Sequence, residues 1–141
     1  MKRDPLQTML RVRQSALDEA QKAVADAYRL EQDALLRAEA AAHALEHEMK
    51  AASSLTAGDD AVEMFARWLP VGRSALRRAH DEQQQTTTAL DRTRAVLALA
   101  RSGVRAVETL MEQRQQERFL EEGRRDQRIL DEAGCRQPVD Y

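Results

Sequence analysis

Aromatic residues make up only 4% of this sequence, and it has five glycines, three prolines and one cysteine. Each scarcity excludes something. Without aromatics, which supply the largest buried areas, a rounded core is hard to build. Few glycines and prolines leave little punctuation for turns, so long uninterrupted helices are expected. Cys135 has no second cysteine to pair with, which rules out an internal disulfide and gives no sign of an oxidising compartment; it reads as a reduced bystander thiol. No stretch approaches the ~20 consecutive apolar residues of a membrane span. The basic start, Met1-Lys2-Arg3, runs into an amphipathic segment instead of a signal-peptide core. The sequence therefore predicts a cytoplasmic protein.

Charge of one sign is missing too. Residues 1–55 carry eight basic and nine acidic side chains, residues 56–100 six and six, and residues 101–141 eight and nine. No part has the basic excess that a phosphate backbone attracts, which argues against nucleic acid. There is no phosphate-cradling glycine loop, no dinucleotide fingerprint and no histidine-glutamate zinc motif. His43 and His47 are four apart on one helix and could share a metal, but no third ligand is evident, so they read as surface histidines. The carboxylates are matched by neighbouring arginines and have no cleft to shift their pKa values. These patterns predict neither an enzyme nor a cofactor or metal site.

What is abundant is alanine, leucine, glutamate, arginine and glutamine, with charged residues at 33%. That is the composition of long helices and coiled coils. The whole chain, 1–141, reads as one coiled-coil domain: helix 1 over about 5–53, a turn at 54–59, helix 2 over about 60–133 and a frayed tail at 134–141. Asp4 caps helix 1 and Pro5 suits its first position. Ser53 to Gly58 is the one clear turn, and Asp59-Asp60 reads as the second cap. Pro70 predicts a kink or brief break in helix 2, and Gly134 a stop. About 50 residues at 1.5 Å each would give a rod of roughly 75 Å. The fold class is all-α, a two-helix antiparallel coiled-coil hairpin.

The seam is read from heptads. In helix 2, Leu76, Gln83, Leu90, Leu97, Val104 and Met111 follow strict steps of seven, partnered by Ala79, Thr86, Thr93, Ala100 and Val107. In helix 1 the expected row is Leu10, Leu17, Ala20, Val24, Tyr28, Leu35, Ala38, Ala42, Leu45 and Met49. Two successive steps of four, 20 to 24 to 28, predict a stutter that unwinds the supercoil. Folding at the turn sets Leu10 against Val104, Leu17 against Leu97, Val24 against Leu90 and Tyr28 against Thr86. It also sets Leu35 against Ala79, Ala38 against Leu76, Leu45 against Leu69 and Met49 against Phe65. Glu31 then faces Gln83, a polar layer that fixes alignment at some cost in stability. Ala42 faces Gly72, a thin spot.

Two patches are left over. Phe65, Trp68 and Leu69 cluster just before Pro70; Trp68 sits one position off the seam, either as a plug or as an exposed aromatic anchor of the kind that dominates binding energy. In the expected register Met1 faces Gln113, so the helix beyond it has no intramolecular partner yet carries Phe119, Leu120, Ile129 and Leu130. Apolar side chains on a single helix need a partner.

The opening Asp4-Pro5-Leu6-Gln7-Thr8-Met9-Leu10-Arg11-Val12-Arg13, the Ala/Glu-rich first helix, the Phe65 segment and the closing Arg128-Ile129-Leu130-Asp131-Glu132-Ala133 resemble the FliJ family of flagellar type III export proteins. The resemblance spans nearly the whole chain and implies a stalk like that of rotary ATPases. Its termini-bearing end would enter the ring of the flagellar export ATPase, which assigns Leu6, Leu10, Phe119, Leu120, Arg124 and Arg125 to ATPase binding. A mid-hairpin face would touch the cytoplasmic domain of the export gate through Leu35, Phe65 and Leu69, with Trp68 beside them. The family pattern has further aromatics on helix 1 where this sequence has Ala38 and Ala42. The resemblance also implies escort of export chaperones and a role in motility and chemotaxis. It implies a protein that is monomeric when free and is recruited through protein partners alone to the cytoplasmic face of the inner membrane at the flagellar base.

Two other readings fit the same features. A self-associating structural or adaptor coiled coil would also bury the overhang, and the equivalent stalk of a virulence type III secretion system would share the architecture.

Overall fold

The computed structural model describes residues 2–54 and 56–136. Two helices account for nearly all of them: α1, Pro5–Ala52, and α2, Asp59–Cys135. No strand occurs among the described residues. The chain is all-α, a two-helix antiparallel hairpin. The expected facing of Met1 with Gln113, the turn residue Leu55 and the expected frayed residues 137–141 lie outside the described residues.

α1 begins where its free N–H groups find acceptors. Leu6 N donates to Asp4 Oδ1 at 3.1 Å and Thr8 N to Asp4 O at 3.3 Å, so Asp4 is the cap and Pro5 the first helical residue. Beyond α1, Thr56 N donates to Ser54 Oγ at 3.2 Å and Ala57 N to Ser54 O at 3.0 Å. The second cap is not the expected Asp59-Asp60. Ala61 N and Val62 N donate to Gly58 O at 3.0 and 3.5 Å, so glycine holds the cap position. The two aspartates fill the first turn, where the positive end of the helix dipole favours carboxylates. Pro70 lies inside α2 and the expected break does not occur there; its missing N–H leaves the Ala66 carbonyl without a helical donor. α2 also runs through Gly134 to Cys135.

The chain divides into two compact units, Asp18–Leu99 and Met1–Leu17 with Ala100–Tyr141. In the Asp18–Leu99 unit the α2 row is the one read from the sequence, with Leu90 buried and Leu76, Ala79, Gln83, Thr86, Thr93 and Leu97 half-buried. The α1 row differs. Ala20, Ala27, Ala34 and Ala38 are buried and Val24, Glu31, Leu35, Ala41 and Leu45 half-buried, whereas Ala42 and Met49 are exposed. Tyr28 is 51% exposed. Buried positions therefore follow 20, 24, 27, 31, 34, 38, 41 and 45, alternating steps of four and three with no stutter. Ala27 carries the seam that was expected of Tyr28. A phenol there would hold the helices apart, while on the flank its hydroxyl stays in water.

The register is also displaced. Thr87 Oγ1 donates to Glu31 Oε1 at 3.2 Å, and Arg37 Nε lies 3.8 Å from Glu82 Oε2. Glu31 thus meets α2 about one turn beyond the expected Gln83. Carried along both helices, this register sets Ala20 opposite Leu97, Ala27 opposite Leu90, Ala34 opposite Gln83 and Ala41 opposite Leu76. The expected facings of Val24 with Leu90, Tyr28 with Thr86, Leu35 with Ala79, Ala38 with Leu76, Leu45 with Leu69 and Met49 with Phe65 all shift by the same turn. Small now meets large in these layers, which fills space without overpacking. Leu90 is 1% exposed and Ala34 0%. The seam threonines turn back onto their own helix: Thr86 Oγ1 donates to Gln83 O and Thr93 Oγ1 to Leu90 O, each at 2.8 Å. Among the described residues no buried side-chain nitrogen or oxygen lacks a partner.

In the other unit Leu6, Val104 and Val107 are buried and Leu10, Leu17, Ala100, Gly103 and Met111 half-buried. Arg114 Nη1 lies 4.0 Å from Asp4 Oδ1, and the Arg13 stem covers Gly103, where an added Cβ would meet Arg13 Cδ at 3.3 Å. These contacts again place α1 against α2 farther along than the expected pairing of Leu10 with Val104. From Glu112 to Cys135 every residue of α2 is exposed.

Candidate partner-docking surfaces

The first surface lies in the Asp18–Leu99 unit, where the end of α1 meets the start of α2. Phe65 and Trp68, three apart on α2, share one side of the helix. Their ring centroids are 6.2 Å apart with planes tilted by 33°, within the spacing that favours aromatic pairs. The Trp68 indole then lies back over Gly72. A Cβ at that position would stand 2.6 Å from the ring, so only glycine leaves the room. Trp68, Phe65 and Leu69 are half-buried and Gly72 is buried. The expected facing of Ala42 with Gly72 does not occur: Ala42 is exposed, the shifted register sets Gly72 nearer Leu45, and the protein's own indole lies over the glycine. Trp68 packs with one face and remains accessible with another.

Around this pair Glu48, Ala51 and Ala52 of α1 and Ala61 and Met64 of α2 line a groove of about 290 Å³. Leu35, assigned to the same surface by resemblance, is half-buried about 25 Å along α1 from Ala52 at the helical rise, so the structure does not bring it to the cluster. Sequence reading named Gly72 only as a thin spot, without the indole over it, and missed Met64, Ala51 and Ala52. The glycine four residues after a tryptophan was the available signal, since positions four apart stack on a helix.

Charged pairs run along the same stretches of α1 and α2. Lys50 Nζ lies 3.1 Å from Glu46 Oε1, and that hydrogen bond, with the ammonium's charge, holds the Glu46 carboxyl below its ordinary range. Arg67 Nη2 lies 3.0 Å from Glu63 Oε1. His43 Nδ1 is 4.0 Å from Glu46 Oε2. No group of three or more metal-ligating side chains occurs among the described residues.

The second surface is the outer part of α2 in the other unit. Phe119 is 76% and Leu120 58% exposed, and Arg124, Arg125, Ile129 and Leu130 are exposed as well. Leu6 and Leu10, grouped with them at the sequence level, are seam residues: Leu6 is buried, Leu10 half-buried, and Leu6 shares a cleft with Met111, Arg114 and Arg118. They support this end of the hairpin from inside, while Phe119 and Leu120 lie outside it. No helix among the described residues is long and apolar enough to cross a membrane.

No curated protein and no solved structure matches the chain. The family model described as the flagellar FliJ protein matches residues 1–139, and the chain accordingly belongs to the FliJ family, as a component of flagellar type III export.

Proposed function

We propose that the chain is the cytoplasmic stalk of the flagellar export apparatus. It engages the export ATPase ring through Phe119, Leu120, Arg124 and Arg125, with Leu6 and Leu10 holding that end of the hairpin together. It meets the export gate through Phe65, Trp68 and Leu69, with Leu35 as a separate contact farther along α1, and it escorts export chaperones. It catalyses nothing itself and acts at the cytoplasmic face of the inner membrane through protein partners.

The observation that carries this reading is the stretch from Glu112 to Cys135, exposed throughout on one helix yet bearing Phe119 and Leu120. Most of a helix's stability in a protein comes from packing its apolar face; a ring lining would supply the surface that Phe119 and Leu120 lack here. Arginine suits such a lining because its planar fork grips carboxylates with two hydrogen bonds. The test is capture of the purified export ATPase by the immobilised chain. Capture by the wild type, and its loss on substituting Phe119 and Leu120 by serine, supports the reading.

The same bare side chains favour a second reading, a self-associating adaptor. Sedimentation separates the two: a monomer at micromolar concentration fits the stalk, a dimer the adaptor.

A further inference from the structure

The groove beside Trp68 has a sign as well as a shape. Between residues 46 and 68 there are five carboxylates (Glu46, Glu48, Asp59, Asp60 and Glu63) and two bases, Lys50 and Arg67. Both bases are engaged, with Glu46 and Glu63 at 3.1 and 3.0 Å. Among the described residues Glu48, Asp59 and Asp60 form no ion pair. The helix ends do not reverse this, because the roughly −0.5 charge at the end of α1 and the roughly +0.5 at the start of α2 largely cancel. The side chains set the sign, and it is negative.

The groove is lined by the apolar Ala51, Ala52, Ala61, Met64, Phe65 and Trp68, with Glu48 as the one charged residue among them. At about 290 Å³ it falls just below the range of small-molecule sites. That is room for one or two side chains. The indole lies directly over Gly72, so this wall of the groove rests against the protein's own helix.

We infer that this groove takes a protein segment presenting one large apolar side chain flanked by lysine or arginine, the apolar group entering between Met64 and Trp68 and the bases meeting Glu48, Asp59 and Asp60. The inference rests on the reading that Phe65 and Trp68 face a protein partner, and it adds which chemistry that partner carries. Charges at the rim steer the approach and select among partners, and they are screened within about 8 Å at physiological salt.

Trp68 is the only tryptophan, so its emission reports on the groove directly. Two twelve-residue peptides with the same central leucine and phenylalanine, one with lysine flanks and one with glutamate flanks, serve as probes for the full chain. The lysine peptide should shift the emission to the blue and bind at least tenfold tighter than the glutamate peptide. The triple variant Glu48→Gln, Asp59→Asn, Asp60→Asn should lose that preference, and Trp68→Phe should keep its helicity while binding the lysine peptide severalfold more weakly in an anisotropy assay. Equal affinity for the two peptides, no binding of either at millimolar concentration, or emission that depends on the protein's own concentration through self-association would each overturn the inference. The gate's cytoplasmic domain is titrated in parallel. Peptide preference without gate binding keeps the groove chemistry and removes the gate as its partner; gate binding that ignores the triple variant removes the acidic rim and keeps the gate.

Discussion

The Trp68 indole rests on Gly72 so closely that a methyl group at residue 72 would lie 2.6 Å from the ring. The far end of a side chain can move, so Gly72→Ala should displace the indole without breaking the helix. Alanine also favours a helix interior over glycine by about 1 kcal/mol, which offsets part of the lost packing. Melting should change by less than about 1 kcal/mol, while the emission of Trp68 shifts to the red and quenching by iodide rises. Unchanged emission would mean the ring is not seated on residue 72.

The register has its own test. In a background lacking Cys135, cysteines at Glu31 and Thr87 should be joined readily by a short bifunctional thiol reagent, because the native Glu31 side chain spans the gap to the Thr87 hydroxyl, which it meets at 3.2 Å. Cysteines at Glu31 and Gln83, the pair expected from sequence, should crosslink poorly. The reverse order would return the hairpin to the register with the stutter.

The seam is packed tightly enough that shortening and lengthening a buried side chain both destabilise it. Leu90→Ala removes the most deeply buried large side chain and should cost about 2–4 kcal/mol. Leu99→Ala, at an exposed position, should stay within about 0.5 kcal/mol. Ala34→Leu adds a side chain where none fits and should destabilise by about 1–3 kcal/mol, although leucine is ordinarily welcome in a coiled coil. Thermal unfolding of the three variants decides it.

The α2 row was legible because Leu76, Leu90, Leu97, Val104 and Met111 are large residues at strict spacing in a polar helix. The α1 row was not, because its second column is Ala20, Ala27, Ala34 and Ala41 in a helix rich in alanine everywhere. Tyr28 and Met49 are larger and drew the reading one position aside. Yet the four alanines keep the same steps of seven as Leu17, Val24, Glu31, Ala38 and Leu45, and that regularity was the overlooked signal. The second cap was misread for a similar reason. Asp59 and Asp60 carry the capping chemistry, but the backbone of Gly58 provides the first acceptor. The bare end of α2 was legible in outline, and Arg114 moved from the overhang to a partnership with Asp4.

The central claim is that the exposed end of α2 is a contact for the export ATPase. ATP turnover of that enzyme is titrated with wild type and with the Phe119→Ser, Leu120→Ser double variant, with melting followed by circular dichroism. Neither side chain is buried, so the melting of the hairpin should change by less than about 0.5 kcal/mol, while stimulation of turnover falls at least severalfold. A variant that remains folded and stimulates as well as wild type would contradict the account.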